Sequence, residues 1–432
     1  MNNPDCFRFG SRGVIRIFAC LVVPLWFGVL VGRADTHYVS LVGGNASPYT
    51  NGWAGAATNI QSAVDASDDG DTVLVTNGTY AAGGAVTPGH TLANRVCIYG
   101  KTITLRSVNG PEVTIIKGKP DDVTGACGSN AVRCVYLAAC PGPTLIGFTL
   151  TNGHTRTSGH EKYDLSGGGI FINYYYAAIS NCVVTGNKAH YCGGGILNSR
   201  GTVDHCAIIG NSAGHYGGGI ALYPSDIGGW FINNCVLANN SAGAYGGGVW
   251  FNRFNSAMNN CALTANWAAQ YGGGVMFQTG DGVMNNCLLI GNVTTNLGGN
   301  AYFNKCGTMN NCTLTAGGGG GVRMDTGGAL TNCIVWGNSN WDFYIHITGT
   351  VSHTCSNPRQ SGEGNIGNIP LFVDTNSGNY RLTSGSPCVN AGTNQAWMTN
   401  AVDLDGQPRI RCGTVDLGAY ETISESTNGI AH

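Results

Sequence analysis

The chain is predicted to be an all-β solenoid, and three features of its 432 residues indicate that fold. A phrase of asparagine or histidine, then cysteine, then small apolar residues recurs at steps of roughly 25 residues, a period typical of solenoids. Clusters of glycines keep a similar step. Glycine, asparagine and β-branched residues fill the repeats, which favours strands and tight turns over helices. The repeat cysteines are Cys182, Cys206, Cys235, Cys261, Cys287, Cys312 and Cys333.

Bulk composition limits the classes of function. Charged residues make up 10% of the chain and the formal net charge is −2, so no basic surface indicates a nucleic-acid-binding protein. Hydrophobic residues make up 43% and follow the repeat, so the low charge does not indicate disorder. We therefore expect a folded domain with a long interior and no nucleic-acid partner.

Residues 1–34 are predicted to be a signal peptide. Arginines precede an apolar run from Ile17 to Val31, and Gly32-Arg33-Ala34 has small residues where a signal peptidase cleaves. The run is shorter than the roughly 20 residues that a membrane-spanning helix needs. No later stretch of the sequence is apolar for long enough, so we expect no transmembrane segment in the mature chain.

The seven repeat cysteines are predicted to be reduced. In-register coils stack about 4.8 Å apart, whereas the Cβ atoms of a disulfide prefer about 3.8 Å. A column of small apolar side chains inside the solenoid fits this spacing better. Cysteines outside the column are the disulfide candidates, namely Cys388 with Cys412, and two among Cys127, Cys134 and Cys140.

Residues 35–100 are predicted to form an N-terminal cap and the first coil. Ile60, Ala63 and Val64 have the spacing of a short helix, and residues 71–75 alternate like a strand. A helix followed by a strand would cover the interior and the strand edge that a solenoid otherwise exposes at its end.

Residues 101–350 are predicted to form the solenoid, with two strands in each coil. One strand follows the glycines, as in residues 248–251, and the second contains the cysteine, as in residues 235–237. Asparagine tolerates the left-handed backbone of tight turns, and stacked amides can hydrogen-bond along the axis. We therefore interpret the asparagine columns before the cysteines and after the second strands as structural.

Alternation along the strand after the glycines assigns its side chains to two faces. Val249 and Phe251 should point inward, whereas Trp250 and Asn252 should point outward. The first outward column comprises Phe171, Leu197, Ala221, Trp250, Met276, Tyr302 and Arg323. The second outward column comprises Asn173, Ser199, Tyr223, Asn252, Gln278, Asn304 and Asp325.

The repeats resemble those of right-handed parallel β-helix proteins in the pectin-lyase-like superfamily, and also those of polymorphic outer-membrane proteins. Residues 351–432 resemble the C-terminal module of choice-of-anchor Q proteins, in the segments 370–374, 380–382, 385–392, 403–409 and 415–421. The resemblance implies a single-stranded right-handed parallel β-helix followed by a C-terminal module. It also implies export from a bacterium, with the protein secreted or associated with the cell surface or outer membrane.

The resemblance implies which residue patterns would indicate catalysis. Hydrolases of that superfamily carry clustered aspartates, because a general acid and base must face one cleft, and its lyases place calcium-binding acids beside an arginine or lysine base. The repeats contain only scattered carboxylates, so no metal site or cofactor is predicted and a calcium site is not supported. Arg323 and Asp325, on one outward face, are the local catalytic candidates; the alternative is a surface ion pair.

Two other groups of reactive side chains are interpreted as structural. His154, His160, Glu161 and Asp164 have no spacing typical of a metal site and are expected in a solvated loop. Cys192 aligns with tyrosines of later coils and is expected to pack rather than to act as a nucleophile.

The outward columns favour a carbohydrate ligand, because aromatic faces beside amides suit sugar rings. The predicted ligand-binding residues are Phe171, Tyr223, Trp250, Tyr302, Asn252, Gln278 and Asn304. The alternative is that loops or a partner cover this stripe. The leading hypothesis is a non-catalytic scaffold that binds a polysaccharide, a cell-surface glycan or another surface partner. A polysaccharide lyase or glycoside hydrolase using the same face is the alternative.

Overall fold

The computed structural model describes residues 34–139, 141–173, 176–198, 200–223, 229–252, 255–411 and 413–422. The predicted signal peptide, apart from Ala34, lies outside the described residues, as do Cys140, Ser199 and Cys412. No helix in the described part of the chain is long and apolar enough to cross a membrane.

The polypeptide coils into a single-stranded right-handed parallel β-helix, which confirms the predicted fold class. Its strands form four rows along the axis, which we name A to D. Row A follows the glycine clusters and contains Ala93–Tyr99, Val132–Ala138, Ile170–Ile172, Ile196–Asn198, Ile220–Leu222, Val249–Phe251, Val275–Phe277, Ala301–Phe303 and the first parts of Val322–Thr331 and Phe343–Ser352. Row B contains Thr36–Val39, Thr72–Val75, Thr104–Ser107, Thr144–Ile146, Ala177–Ser180, Gly201–Asp204, Trp230–Asn233, Ser256–Asn259, Val283–Asn285, Thr308–Asn310 and the later parts of the same two long strands.

Rows C and D complete each coil. Row C follows the cysteines and contains Gly78–Tyr80, Thr114–Lys117, Thr149–Thr151, Val183–Thr185, Ala207–Ile209, Val236–Ala238, Ala262–Thr264, Leu288–Ile290, Thr313–Thr315, Ile334–Trp336 and Cys355–Ser356. Row D contains Lys188–Ala189, Ser212–Ala213, Ser241–Ala242, Trp267–Ala268 and Val293–Thr294. Rows B and D go beyond the two strands per coil that the sequence predicts.

A short helix, Ile60–Ala66, precedes the row B strand Thr72–Val75. Asn59 caps the helix, because its side chain accepts a hydrogen bond from the backbone N–H of Ser62 at 2.9 Å. Ile60, Ala63 and Val64 join the main hydrophobic core, as a cap over the first coils requires. The domain boundaries at residues 34, 100 and 350 stay predictions.

The predicted cysteine column is confirmed. All seven repeat cysteines are free and buried in the main core, and neighbouring thiols lie within hydrogen-bonding reach of one another. The backbone N–H of Cys206 donates to Sγ of Cys235 at 3.4 Å, and that of Cys235 donates to Sγ of Cys261 at the same distance. Because each small thiol fills the same interior position on its coil, a larger side chain has no room there.

Replacing Cys261 with Phe should destabilise the protein by roughly 1–3 kcal/mol through overpacking of the column. The shift of the denaturant midpoint measures this change. Val236→Phe is the matched control, because Val236 is exposed on row C. Equal midpoints for the two variants would contradict the close packing of the column.

Both asparagine columns are structural, as predicted. Inside the coil, Nδ2 of Asn211 donates to Oδ1 of Asn240 at 3.0 Å, and Nδ2 of Asn240 donates to Oδ1 of Asn266 at 2.9 Å. At the corner between rows B and C, Asn260 and Asn286 have φ values of 53° and 54°, in the left-handed region. One column therefore links the coils along the axis, and the other turns the chain at the corner.

Asn198 is an exception within the apolar interior. It pairs with Ile172 and Leu222 of the adjacent row A strands, at positions whose side chains point inward. It is 0% exposed, and neither atom of its amide has a hydrogen-bond partner among the described residues. A buried polar group without a partner typically lowers stability by about 1–3 kcal/mol.

Replacing Asn198 with Leu should therefore raise the free energy of unfolding by about 1–3 kcal/mol, since the apolar side chain removes the desolvation penalty. The exposed Asn376→Leu serves as the control and should change stability by less than about 0.5 kcal/mol. A destabilised Asn198→Leu protein would show that this amide has a partner in solution.

The C-terminal module packs against the last coils through its own apolar residues. Its antiparallel strands are Phe372–Asp374 and Asn379–Leu382, and a short 3-10 helix spans Ala396–Asn400. Asp403 and Asp416 accept hydrogen bonds from backbone N–H groups and so act in turns. Cys388 lies in a cluster with Cys355, within hydrogen-bonding reach of its thiol, whereas its predicted partner lies outside the described residues.

Candidate functional site

The first outward column does face away from the core, but a second layer covers it. Phe171, Trp250 and Tyr302 are 0%, 5% and 4% exposed. They belong to a hydrophobic cluster separate from the coil interior. The alternation inferred from the sequence is therefore right, whereas the expectation that these three rings lie open to a ligand is wrong.

The covering layer is the segment that ends in each glycine cluster. The glycines reverse the chain so that the tyrosine before them lies over row A. At Gly246, φ is +64°, and a Cβ atom there would approach the carbonyl oxygen of Val249 to 2.4 Å. The rings of Tyr216 and Trp250 stack with centroids 4.6 Å apart, and those of Tyr271 and Tyr302 stack at the same distance.

The surface of this ridge is a regular line of tyrosines. We name Tyr216, Tyr245 and Tyr271 the tyrosine row; they pair in register on successive coils and are half-buried. Ring centroids of Tyr216 and Tyr245 lie 5.3 Å apart, and those of Tyr245 and Tyr271 lie 5.6 Å apart, with both pairs stacked. The ring faces are thus occupied by neighbouring rings. No described residue forms a hydrogen bond with the hydroxyl of Tyr216, Tyr245 or Tyr271.

The second outward column is partly open. Asn252, Gln278 and Asn304 are half-buried at the ends of successive row A strands. Nδ2 of Asn304 donates to the carbonyl oxygen of Gln278 at 3.3 Å, and Oε1 of Gln278 has no partner among the described residues. Tyr223 is also half-buried, and its hydroxyl donates to Glu161 at 3.5 Å. The side chains of Asn252, Asn304 and Tyr223 are thus only partly covered, whereas Oε1 of Gln278 is buried.

Arg323 and Asp325 form a shielded ion pair. Nε of Arg323 lies 2.5 Å from Oδ1 of Asp325, and the two side chains are 14% and 17% exposed. The hydroxyl of Tyr302 donates to the same carboxylate. Burial acts to lower the pKa of Arg323, but the bond to Asp325 outweighs it and leaves the pKa raised. A general base must be unprotonated at the working pH. The contact between Arg323 and Asp325 has the geometry of the ion pair that is the alternative interpretation.

A second charged group, Lys162, was not singled out by its sequence pattern. Lys162 is 4% exposed, and its Nζ lies 5.5 to 5.7 Å from the ring centres of Tyr163, Phe171 and Tyr223. Burial lowers the pKa of Lys162 to about 8. The sequence signal is a lysine five positions before the glycine cluster that begins at Gly167, in a stretch whose composition indicates a loop.

The loop is solvated only in part: His160 and Glu161 are exposed as the sequence predicts, whereas His154 and Asp164 are buried. Asp164 is 3% exposed and accepts hydrogen bonds from the backbone N–H groups of Thr91, Leu92 and His160. The carboxylate thus fastens the loop to an earlier coil. Cys192 packs as predicted, because it is fully buried and burial raises the pKa of its thiol to about 12.

Metal-binding geometry is absent from the described residues, where no group of three or more histidine, cysteine, aspartate or glutamate side chains is placed to hold an ion. The candidate site is therefore a ridge of tyrosine hydroxyls and strand-end amides. It has the Lys162 group at one end and the Arg323 ion pair at the other.

The architecture places the chain among the parallel β-helix proteins. No family model and no curated protein matches it. Among solved structures, the chain is similar to the pectate lyase Pel9A, with a TM-score of 0.55 and 14% identity over 90% of this chain and 97% of that one. It also matches a rhamnogalacturonan lyase with a TM-score of 0.44 and 12% identity over the same shares. The first likeness supports the fold.

Proposed function

We propose that the protein is an exported β-helix scaffold that binds a polysaccharide or cell-surface glycan along the tyrosine row. One observation carries the proposal: tyrosine hydroxyls without partners among the described residues recur once per coil, along a ridge built by Tyr216, Tyr245 and Tyr271. A polymer with regularly repeated hydroxyls is the ligand class that such a line of donors and acceptors fits.

The mode of contact follows from the packing of the rings. Because the faces of Tyr216 and Tyr271 stack on Trp250 and Tyr302, a sugar meets ring edges and hydroxyls rather than open faces. Burial, followed by the neighbouring tyrosines, raises the pKa of Tyr245, so its hydroxyl stays neutral at physiological pH. The half-buried amides of Asn252 and Asn304 extend the polar surface on the row A side.

Two further assignments accompany this proposal. A signal peptide over residues 1–34 would place the protein outside the cytoplasm, either secreted or on a bacterial cell surface or outer membrane. The identification of residues 351–432 as a choice-of-anchor Q module remains a prediction. A catalytic role for Arg323 and Asp325 stays a prediction from the sequence, and their shielded ion pair is the alternative interpretation.

A triple variant with Tyr216, Tyr245 and Tyr271 each changed to Phe tests the binding surface. It removes the hydroxyls and keeps the ring stacking, so the thermal midpoint should change little. Losing three hydrogen bonds, each worth about 0.5–1.5 kcal/mol, should weaken glycan binding by at least roughly tenfold. A glycan array identifies the ligand, and calorimetry then measures the affinity.

Tyr99→Phe is the matched control, since Tyr99 is exposed on a strand outside the row. Undiminished binding by the triple variant, or an equal loss in the control, would rule out the tyrosine row as the binding surface.

A second function, polysaccharide lyase, is favoured by the Lys162 group alone. Lyases of acidic polysaccharides need a base that abstracts a proton next to a carboxylate, and a lysine serves when its pKa falls towards neutrality. Lys162 meets the pKa condition, but its Nζ is buried 5.6 Å from the ring centre of Tyr223, so a substrate must displace neighbouring side chains to reach it.

If Lys162 is the base, the rate of unsaturated product formation should rise as the pH passes through about 8, because the neutral amine is the active form. Lys162→Met should abolish the product, measured by its ultraviolet absorbance on polygalacturonate and related acidic polysaccharides. Lys188→Met, at an exposed lysine of row D, should leave the rate unchanged. Absence of product from the wild-type protein between pH 6 and 10 would eliminate this function.

A further inference from the structure

A polar groove lies between the C-terminal module and the corner where rows B and C meet. Its volume is about 430 Å³, within the range of small-molecule sites. One wall consists of the side chains of Asn259, Asn260, Asn285 and Asn286, and the other contains Trp397 and Asn400 of the module. These residues do not belong to the tyrosine row, so the groove is a separate feature of the surface.

The asparagine wall is held in place by an outer amide ladder. Nδ2 of Asn259 donates to Oδ1 of Asn233 at 2.8 Å, and Nδ2 of Asn285 donates to Oδ1 of Asn259 at 2.9 Å. Nδ2 of Asn310 continues the ladder to Oδ1 of Asn285 at 2.9 Å. Each side chain is therefore fixed before any ligand arrives, which reduces the entropy lost on binding.

The same network reaches the tryptophan. Nε2 of Gln395 donates to Oδ1 of Asn310 at 3.5 Å, and the indole N–H of Trp397 donates to Oε1 of Gln395 at 2.5 Å. The indole is half-buried and lines the groove. An aromatic ring that lines the same groove as a row of amides provides both the apolar and the polar contacts that a sugar ring needs.

Asn286 points more directly to a ligand. It is 2% exposed and lines the groove. Its Nδ2 donates to Oδ1 of Asn260 at 3.1 Å and to the carbonyl oxygen of Val402 at 2.8 Å, which uses both of its protons. Its Oδ1 has no partner among the described residues. A ligand hydroxyl donated to this oxygen would satisfy a buried acceptor that is otherwise unpaired.

We propose that this groove binds a neutral saccharide, with a hydroxyl on Asn286 and a ring face on Trp397. The lining contains amides, apolar side chains and an indole, and it has no charged residue. An anionic sugar would lose solvation there without gaining a cationic partner, so uncharged sugars are the better ligands. The groove goes beyond the glycan surface proposed above, because it uses different residues and selects by charge.

The test titrates the full mature chain with neutral gluco-, manno-, xylo- and galacto-oligosaccharides, and with oligogalacturonate as the acidic comparison. Calorimetry should show binding of at least one neutral series, with oligogalacturonate at least tenfold weaker in the groove. Trp397→Ala should weaken neutral binding at least tenfold. Trp267→Ala is the matched control, since Trp267 is an exposed tryptophan of row D, and its affinity should equal that of the wild type.

A second variant guards against local unfolding of the module. Asn400→Arg places a long side chain in the groove from an exposed position, so it should block binding and leave the thermal midpoint unchanged. The triple phenylalanine variant of the tyrosine row should retain this binding, which separates failure of one site from failure of the other. The proposal is overturned if no neutral series binds, if acidic and neutral sugars bind equally, or if both groove variants bind normally.

Discussion

In-register stacking of the coils along one axis is the constraint on which the rest of the structure depends. Parallel pairing places each residue over its equivalent one coil away, as Val249, Val275 and Ala301 show in row A. A residue type that recurs at one position of the repeat therefore forms a column of stacked side chains. The interior amides illustrate the consequence, because Asn240 is at once the acceptor for Asn211 and the donor to Asn266. Slipping one coil by a residue would unpair both bonds and turn the apolar side chains outward.

The repeat determines which structural features can be predicted from the sequence. The cysteine column, the two asparagine columns and the inward or outward direction of row A side chains all follow from period and alternation, since neighbouring coils share one register. Exposure does not follow from them, because it depends on what lies over the sheet. Trp250 points outward but is covered by Tyr216, whose position is set by the left-handed turn at the glycines. The aligned tyrosines before each glycine cluster were the available signal, and their packing role accounts for the buried rings.

Deviations from the repeat are where local chemistry departs from prediction. Asn198 occupies an inward position that other coils give to apolar side chains. The period predicts this position, but it does not predict the loss of stability caused by the unpaired amide. Arg323 and Lys162 show the same limit for charge. Both are shielded cations beside aromatic rings, yet Asp325 keeps the pKa of Arg323 high while burial lowers that of Lys162. The spacing of Arg323 and Asp325 in the sequence identifies their ion pair. The burial of Lys162 depends instead on the loop that Asp164 holds in place.

The C-terminal module gives one asparagine column two different environments. At the earlier corners, Asn181 and Asn234 are exposed, whereas Asn311 and Asn332 are buried and donate to backbone oxygens of the module. Asn286 lies between the exposed corners and the covered ones, and it contacts Val402, a residue 116 positions later in the chain. Contacts between a regular solenoid and an irregular module cannot be predicted from the period of the sequence, because only the solenoid side of this seam is repetitive. Such a seam also leaves polar groups incompletely paired, because the in-register stacking of coils orders the side chains of only one wall. Oδ1 of Asn286 lies at this seam and has no partner among the described residues.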